Sequence, residues 1–279
     1  MHLIGLTGSI ATGKSTTSQL LTSPPYSLPI IDADLLARKA VEPGTWGYNR
    51  IVSTFGSTTP DLLLPASDPL SKGREDGPNG KGRPLNRPAL GRRVFGNSEE
   101  RTADRKKLNS IVHPAVRFYM LRSLLYNYVR GCWAVVLDIP LLFESGLDIF
   151  CSSVVVVAVS DPKIQMQRLR DRDAHLTEED AQNRVQSQTD VLEKAKRAQM
   201  RGSRKGYVLY NDGKKQDLEV QLDDVMQKIK DSSPKWWAWL LLLCPPLMGT
   251  VASYQLLINY LKRQQAQRER GEELPKAKL

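Results

Sequence analysis

The 279-residue sequence is poor in cysteine and histidine. Cys132, Cys151 and Cys244 lie far apart and form no C-x-x-C pair. That excludes a disulfide scaffold and a cysteine-rich zinc site, and it suits a reducing compartment. His2, His113 and His175 are not spaced as a helical ligand pair, so a histidine metal centre is not expected. Acidic residues are in deficit: 30 Asp and Glu against 40 Lys and Arg leave a net charge of +10. Such a balance attracts anions in general, whether nucleic acid, a polyphosphate or a membrane surface. No zinc finger, recognition-helix signature or RNA-binding aromatic motif accompanies it, so no nucleic-acid partner is expected. The amino terminus opens on the apolar Leu3-Ile4-Gly5-Leu6-Thr7, so neither a signal peptide nor a transit segment is expected.

What is present is a core-forming composition, 41% hydrophobic and 25% charged, which excludes wholesale disorder. Apolar runs at 3–7, 28–32, 134–138, 154–159 and 207–210 predict strands buried on both faces. Helical stretches at 14–22, 115–129, 163–172, 177–200 and 216–230 alternate with them. The alternation predicts right-handed βαβ crossovers and an α/β fold. Residues 60–88 carry six prolines and four glycines and are expected to be an extended, largely unstructured loop.

A second block begins after residue 232. From Trp236 to Leu261 no side chain is charged, and Lys235 and Lys262-Arg263 bracket the run. Roughly 20 such residues suffice to cross a bilayer as a helix. Trp236, Trp237, Trp239, Tyr254 and Tyr260 suit the headgroup boundary. Pro245-Pro246 should break or kink that helix. The expectation is membrane association through 236–261, either as a bent span or, the preferred form, as a hairpin. The tail beyond Leu261 holds six Lys/Arg against three Glu, which favours a cytosolic end.

The strongest chemical signal is Gly8-Ser9-Ile10-Ala11-Thr12-Gly13-Lys14-Ser15, a full G-x-x-x-x-G-K-[ST] between a predicted strand and a predicted helix. Gly8 and Gly13 let the backbone curl so that successive N–H groups face inward. The helix that follows turns its positive end toward the phosphates. Lys14 should reach the β- and γ-phosphates, the Ser15 hydroxyl should ligate Mg²⁺, and Thr16 completes the set. In Ile31-Asp32-Ala33-Asp34, alternate residues of an extended segment face one way, so both carboxylates could enter one cleft. There a carboxylate can accept a proton from an attacking hydroxyl or hold Mg²⁺ through water. Asp34 could equally cap a helix starting at Leu35. Asp138, at the tip of the third strand, is placed for a second Mg²⁺-side carboxylate or for a turn. Arg168 and Arg172 share a helix face, where a guanidinium could steady a phosphoryl group in transfer or simply be solvated. The charged stretch Thr177 to Thr189 suits a mobile lid.

Taken in order, these residues resemble the dephospho-coenzyme A kinase family. The elements are Leu6-Thr7-Gly8 to Lys14-Ser15, Ile31-Asp32-Ala33-Asp34 with Ala37-Arg38, Val41-Glu42-Pro43-Gly44, Leu108-Asn109-x-Ile111-x-His113-Pro114, Asp138-Ile139-Pro140-Leu141-Leu142-Phe143-Glu144, Gln167-Arg168 with Arg172-Asp173, and Asn211-Asp212-Gly213. The resemblance covers residues 3 to about 230. It implies a P-loop NTPase fold: a five-stranded parallel sheet flanked by helices, a helical acceptor-binding region and a small lid, all within 1–232. It implies transfer of the γ-phosphate of ATP, with Mg²⁺, to the 3′-hydroxyl of the adenosine ribose of dephospho-CoA. Asp34 then falls where the family has its proposed base, Asp32 beside the metal, Arg168 at the lid arginine, and Asn211 and Gly213 near the adenine. His113 and Pro140 fall with the acceptor. Two alternatives stand beside it, a P-loop kinase for another hydroxyl and a catalytically silent, membrane-tethered nucleotide binder. A guanine-specific switch is disfavoured because no Asn-Lys-x-Asp occurs. The segment 233–279 has no counterpart in compact members of the family. It implies an intracellular, membrane-attached form with its kinase domain facing the cytosol, at the endoplasmic reticulum or the mitochondrial outer membrane.

Overall fold

The computed structural model describes residues 1–71, 82–96, 98–173, 191–232 and 245–268. They form two compact units, one of 1–30 with 127–279 and one of 31–126. A five-stranded sheet has the order β2-β3-β1-β4-β5, with β1 His2–Gly8, β2 Ile30–Asp32, β3 Ala134–Asp138, β4 Ser153–Ala158 and β5 Gly206–Tyr210. The pairs β1–β3, β1–β4 and β4–β5 are parallel. Every residue of β3 and β4 is buried, the mark of central strands covered on both faces. The register sets Leu6 opposite Asp138 and Gly8 opposite Val157. The end of β1, where the phosphate loop begins, therefore lies level with the end of β3.

In the first unit, helices α1 (Lys14–Thr22), α6 (Leu142–Ser145), α7 (Pro162–Arg172), α8 (Val191–Met200) and α9 (Lys215–Asp231) accompany the strands. Leu218, Leu222, Val225, Met226 and Ile229 of α9 recur at helical spacing and join Ile4, Leu6, Val155, Val157 and Leu209 in one core. In the second unit, α2 (Ala33–Ala40), α3 (Trp46–Phe55) and α4 (Arg87–Val94) are followed by α5 (Glu99–Val129). Tyr48, Ile51, Phe55, Leu90, Val94 and Ile111 form its core. Helix α5 starts 16 residues before the expected 115, with Pro114 inside it. Proline removes one helical hydrogen bond, and here the long helix absorbs that loss.

The expected loose loop at 60–88 is tied down over its described parts. Leu63 and Leu85 form an antiparallel bridge. The N–H groups of Leu64 and Asn86 donate to the carbonyls of Pro84 and Leu62, and the Tyr48 hydroxyl donates to that of Arg83 (2.6 Å). Leu62 and Leu85 are buried in the second unit's core. The apolar residues, and not the prolines, decide the course of its two ends. Residues 72–81 lie outside the described residues, as do 174–190 with the expected lid.

The transmembrane expectation finds no support in the described residues. Among the described residues no helix is long and apolar enough to cross a membrane. Residues 233–244, with the three tryptophans, lie outside them. The remainder of the run belongs to α10 (Pro245–Arg268). Pro245-Pro246 stand at the start of this helix, at positions whose N–H groups would have no helical partner anyway. The helix is held to the first unit by polar contacts. Asn259 is 3% exposed and donates to the carbonyls of Ile149 (2.8 Å) and Cys151 (3.3 Å). Lys262 donates to the carbonyl of Arg201 (3.0 Å) and Arg263 to that of Phe143 (3.3 Å). Arg263 also faces Asp148 (3.7 Å), which pairs with Arg201 (3.1 Å). The two cations taken as a membrane-edge bracket are thus docked on protein. Asn259→Ala should lower stability by about 1–3 kcal/mol, because the Ile149 carbonyl loses its donor while Cys151 keeps Arg201. That corresponds to a fall in Tm of roughly 2–5 °C in a thermal melt, with ATP affinity unchanged.

Candidate active site

The phosphate loop is built as its sequence requires. Ala11 (φ 59°) and Gly13 (φ 99°) both adopt left-handed backbone, and Gly13 is the N-cap of α1. Such a curl turns main-chain N–H groups toward a common centre at a helix amino terminus, where anions are favoured. No side chain fits at Gly8, where a Cβ would stand 2.8 Å from both the Thr12 hydroxyl and the Val157 carbonyl. None fits at Gly13 either, where it would run into the Asn211 amide. The Thr12 hydroxyl is turned inward to the Ser9 carbonyl (2.9 Å), whereas Ser15 is exposed in the first turn of α1.

Lys14 and Asp138 meet in an ion pair, with side chains 18% and 6% exposed. The register of β1 with β3 brings these distant residues together. Asp138 is therefore a buried carboxylate whose partner is the loop lysine, and not only a turn residue.

Beside the loop is a cleft of about 330 Å³, lined by Ala11, Gly13, Thr16, Arg168, Asn211 and Gly213 among others. Arg168 donates to the Asn211 carbonyl (2.6 Å), and the Asn211 amide donates to the Thr12 carbonyl (2.9 Å). The Asn211 N–H donates to the Ala158 carbonyl at the end of β4 (2.8 Å). One residue thus braces the loop and aims the arginine. Gln165, 3% exposed, holds the Ile10 carbonyl (2.7 Å). The Pro140 carbonyl accepts from the Thr7 hydroxyl (2.9 Å) and from the fully buried Lys194 (2.8 Å). Sequence reasoning missed Thr7, Gln165 and Lys194. Each acts on a main-chain carbonyl far along the chain, and no local pattern announces that.

The remaining expected residues lie in the second unit. Strand β2 ends at Asp32 and α2 begins at Ala33, so Asp32 and Asp34 are not alternate residues of one strand. Asp32, not Asp34, is the helix cap, its carboxylate accepting from the N–H groups of Asp34 (2.8 Å) and Leu35 (3.1 Å). Asp34 is exposed in the first turn of α2. His113 is exposed on α5, directly before Pro114.

Among the described residues no three His, Cys, Asp or Glu gather as a metal cluster. Within the first unit, the Ser15 hydroxyl and the Asp138 carboxylate are hard oxygen donors of the kind Mg²⁺ takes. That ion is usually bound through one or two protein oxygens plus substrate phosphates and water.

Comparison with known proteins matches this arrangement at three levels. Residues 2–72 and 74–217 fit the family model described as dephospho-CoA kinase. The chain is 38% identical to the dephospho-CoA kinase of Saccharomyces cerevisiae over 97% of this chain and 99% of that one. It is 43% identical to that of Bacillus cereus over 81% of this chain and 96% of that one. The solved dephospho-CoA kinase of Campylobacter jejuni superposes with a TM-score of 0.55 at 26% identity, covering 82% of this chain and 98% of that one. A phosphate loop closed over a buried lysine–aspartate pair, in a sequence matched nearly end to end, leaves one assignment: the chain belongs to the dephospho-CoA kinase family, the enzymes of the final step of CoA biosynthesis.

Proposed function

We propose that the chain transfers the γ-phosphate of ATP, as its Mg²⁺ complex, to the 3′-hydroxyl of the adenosine ribose of dephospho-CoA. The observation carrying this reading is the curled loop from Gly8 to Ser15, with Lys14 positioned by Asp138 at its mouth. The main-chain N–H groups of residues 9 to 15 and Lys14 bind the triphosphate. The cleft wall of Arg168, Asn211 and Gly213 takes the nucleotide end. Ser15 and the Asp138 and Asp32 carboxylates are the groups that would hold Mg²⁺, which would supply neutralisation of phosphate charge. Lys14 and Arg168 offset the charge on the phosphoryl group. Asp34 orients the ribose hydroxyl and takes its proton, with His113 and Pro140 serving the acceptor. The exposed Asp34, free of the capping duty that Asp32 performs, suits that task. We place this reaction inside the cell, where ATP is at hand and the free Cys132 and Cys151 thiols persist.

The test is ADP release by the full chain with ATP, Mg²⁺ and a panel of hydroxyl acceptors. Dephospho-CoA should raise turnover at least about 10²-fold over nucleosides lacking its pantetheine arm, the range open to well-placed polar contacts. Equal turnover of a plain nucleoside would dismiss the acceptor assignment. Chelation of Mg²⁺ should abolish release.

A further inference from the structure

Lys194 on α8 stands apart from the machinery just described, yet nothing on its own helix accounts for it. Its side chain is fully buried, on the face that also buries Val191, Ala195 and Ala198. An ammonium at such a site is costly unless it is well bonded, and a nonpolar residue would suit packing better. Burial lowers its affinity for a proton, Glu144 raises it, and the nearby Arg197 and Lys14 charges lower it again. The Glu144 carboxylate is 3.5 Å away and 27% exposed, a loose partner. The short contact is the Pro140 carbonyl at 2.8 Å.

That carbonyl is a junction. It also accepts from the Thr7 hydroxyl at 2.9 Å, and Thr7 directly precedes Gly8. Pro140 has no N–H, so the turn after β3 cannot be fixed by a main-chain donor at that residue. Its other tether is the Ile139 N–H, donating to the Leu6 carbonyl at 3.0 Å. Asp138, the partner of Lys14, is the residue just before this tether. Three elements, β1, the β3 turn and α8, therefore meet at one oxygen atom, two residues from the carboxylate that aims the loop lysine.

We infer that Lys194 is a positioning residue for phosphoryl transfer: with Thr7 it clamps the Pro140 carbonyl and so fixes Asp138 and, through it, Lys14. The inference rests on the kinase reading above. Its signature is a loss in kcat with little change in nucleotide binding. A displacement near 1 Å at a reacting centre can cost about 10²-fold in rate, whereas the loop's own N–H groups still bind ATP.

The experiment uses the full chain and measures kcat with dephospho-CoA, Kd for Mg²⁺–ATP, and Tm. Lys194→Met should lower kcat by roughly 10- to 100-fold, with Kd changed less than about threefold. Thr7→Val, which removes the other donor, should lower kcat in the same way, and the double variant should be non-additive. Glu144→Gln should stay within about threefold of the parent, since its ion pair is loose and part-exposed. Parental kcat in Thr7→Val overturns the inference, whether or not Lys194→Met folds. So do strictly additive losses, or a Glu144→Gln loss equal to that of Lys194→Met. A parent chain that fails to turn over dephospho-CoA would instead sink the kinase reading, and an active parent with indifferent variants sinks only this one.

Discussion

Lys14→Met is expected to lower kcat/KM for dephospho-CoA phosphorylation by about 10³-fold or more, equivalent to roughly 4 kcal/mol of transition-state stabilisation. Two effects combine. The cation that offsets charge on the moving phosphoryl group disappears, in a site where such charges are worth far more than in water. At the same time Asp138, only 4% exposed, loses its partner. A buried carboxylate stripped of its cation costs about 3–5 kcal/mol, so the melting temperature should drop as well. The two effects come apart in the double variant Lys14→Met/Asp138→Asn. Neutralising both ends should recover most of the melting temperature and none of the turnover. Turnover near the parental rate in the single variant would remove Lys14 from the mechanism.

Asp34→Asn is expected to spare stability and to lower the rate nearly as much. The Asp34 side chain is exposed, and Asp32 carries the cap of α2. The substitution should therefore leave Tm almost unmoved, with at most about 1 kcal/mol from the helix dipole. Mg²⁺–ATP should bind within about threefold of the parent. Turnover should fall by roughly 10²- to 10⁴-fold, the usual share of a general base. Asp32→Asn makes a sharp comparison, because asparagine caps a helix as well as aspartate does. Helix α2 survives that change, so any loss of rate reports a task for the Asp32 charge itself. An Asp34→Asn chain at full speed would mean that the proton leaves by another route.

Much of this site could be read from residue order. The phosphate loop is a local device, since glycines and a lysine at fixed spacing demand one backbone course, and the strand and helix around it lie where the apolar pattern put them. The runs behind β3 and β4 were equally plain because both faces of these strands are buried. The failures share a cause. Pro114 disguised the first half of α5, because a single proline reads as a boundary but is tolerated within a 31-residue helix. The alternation argument for Asp32 and Asp34 assumed a longer strand than the three residues of β2. Asn211, expected near adenine, proved also to be a strut under the loop, and Lys194 was invisible. Their partners are carbonyl oxygens between 54 and 199 residues away in sequence, and a main-chain oxygen leaves no mark in a sequence. The uncharged run after residue 235 hides a contact of the same kind. Asn259 carries no charge and so leaves the run looking unbroken, yet its amide is buried against the Ile149 and Cys151 carbonyls.

The way α10 is seated sets a lower bound on how far this protein can be shortened. The family model ends at residue 217, and a trimmed version drawn to that outline would look complete on paper. It would uncover the Asp148–Arg201 pair, remove Arg263 from beside it, and leave the Ile149 carbonyl without the donor it has here. In this chain the last described helix is a keystone, and the body carries its socket.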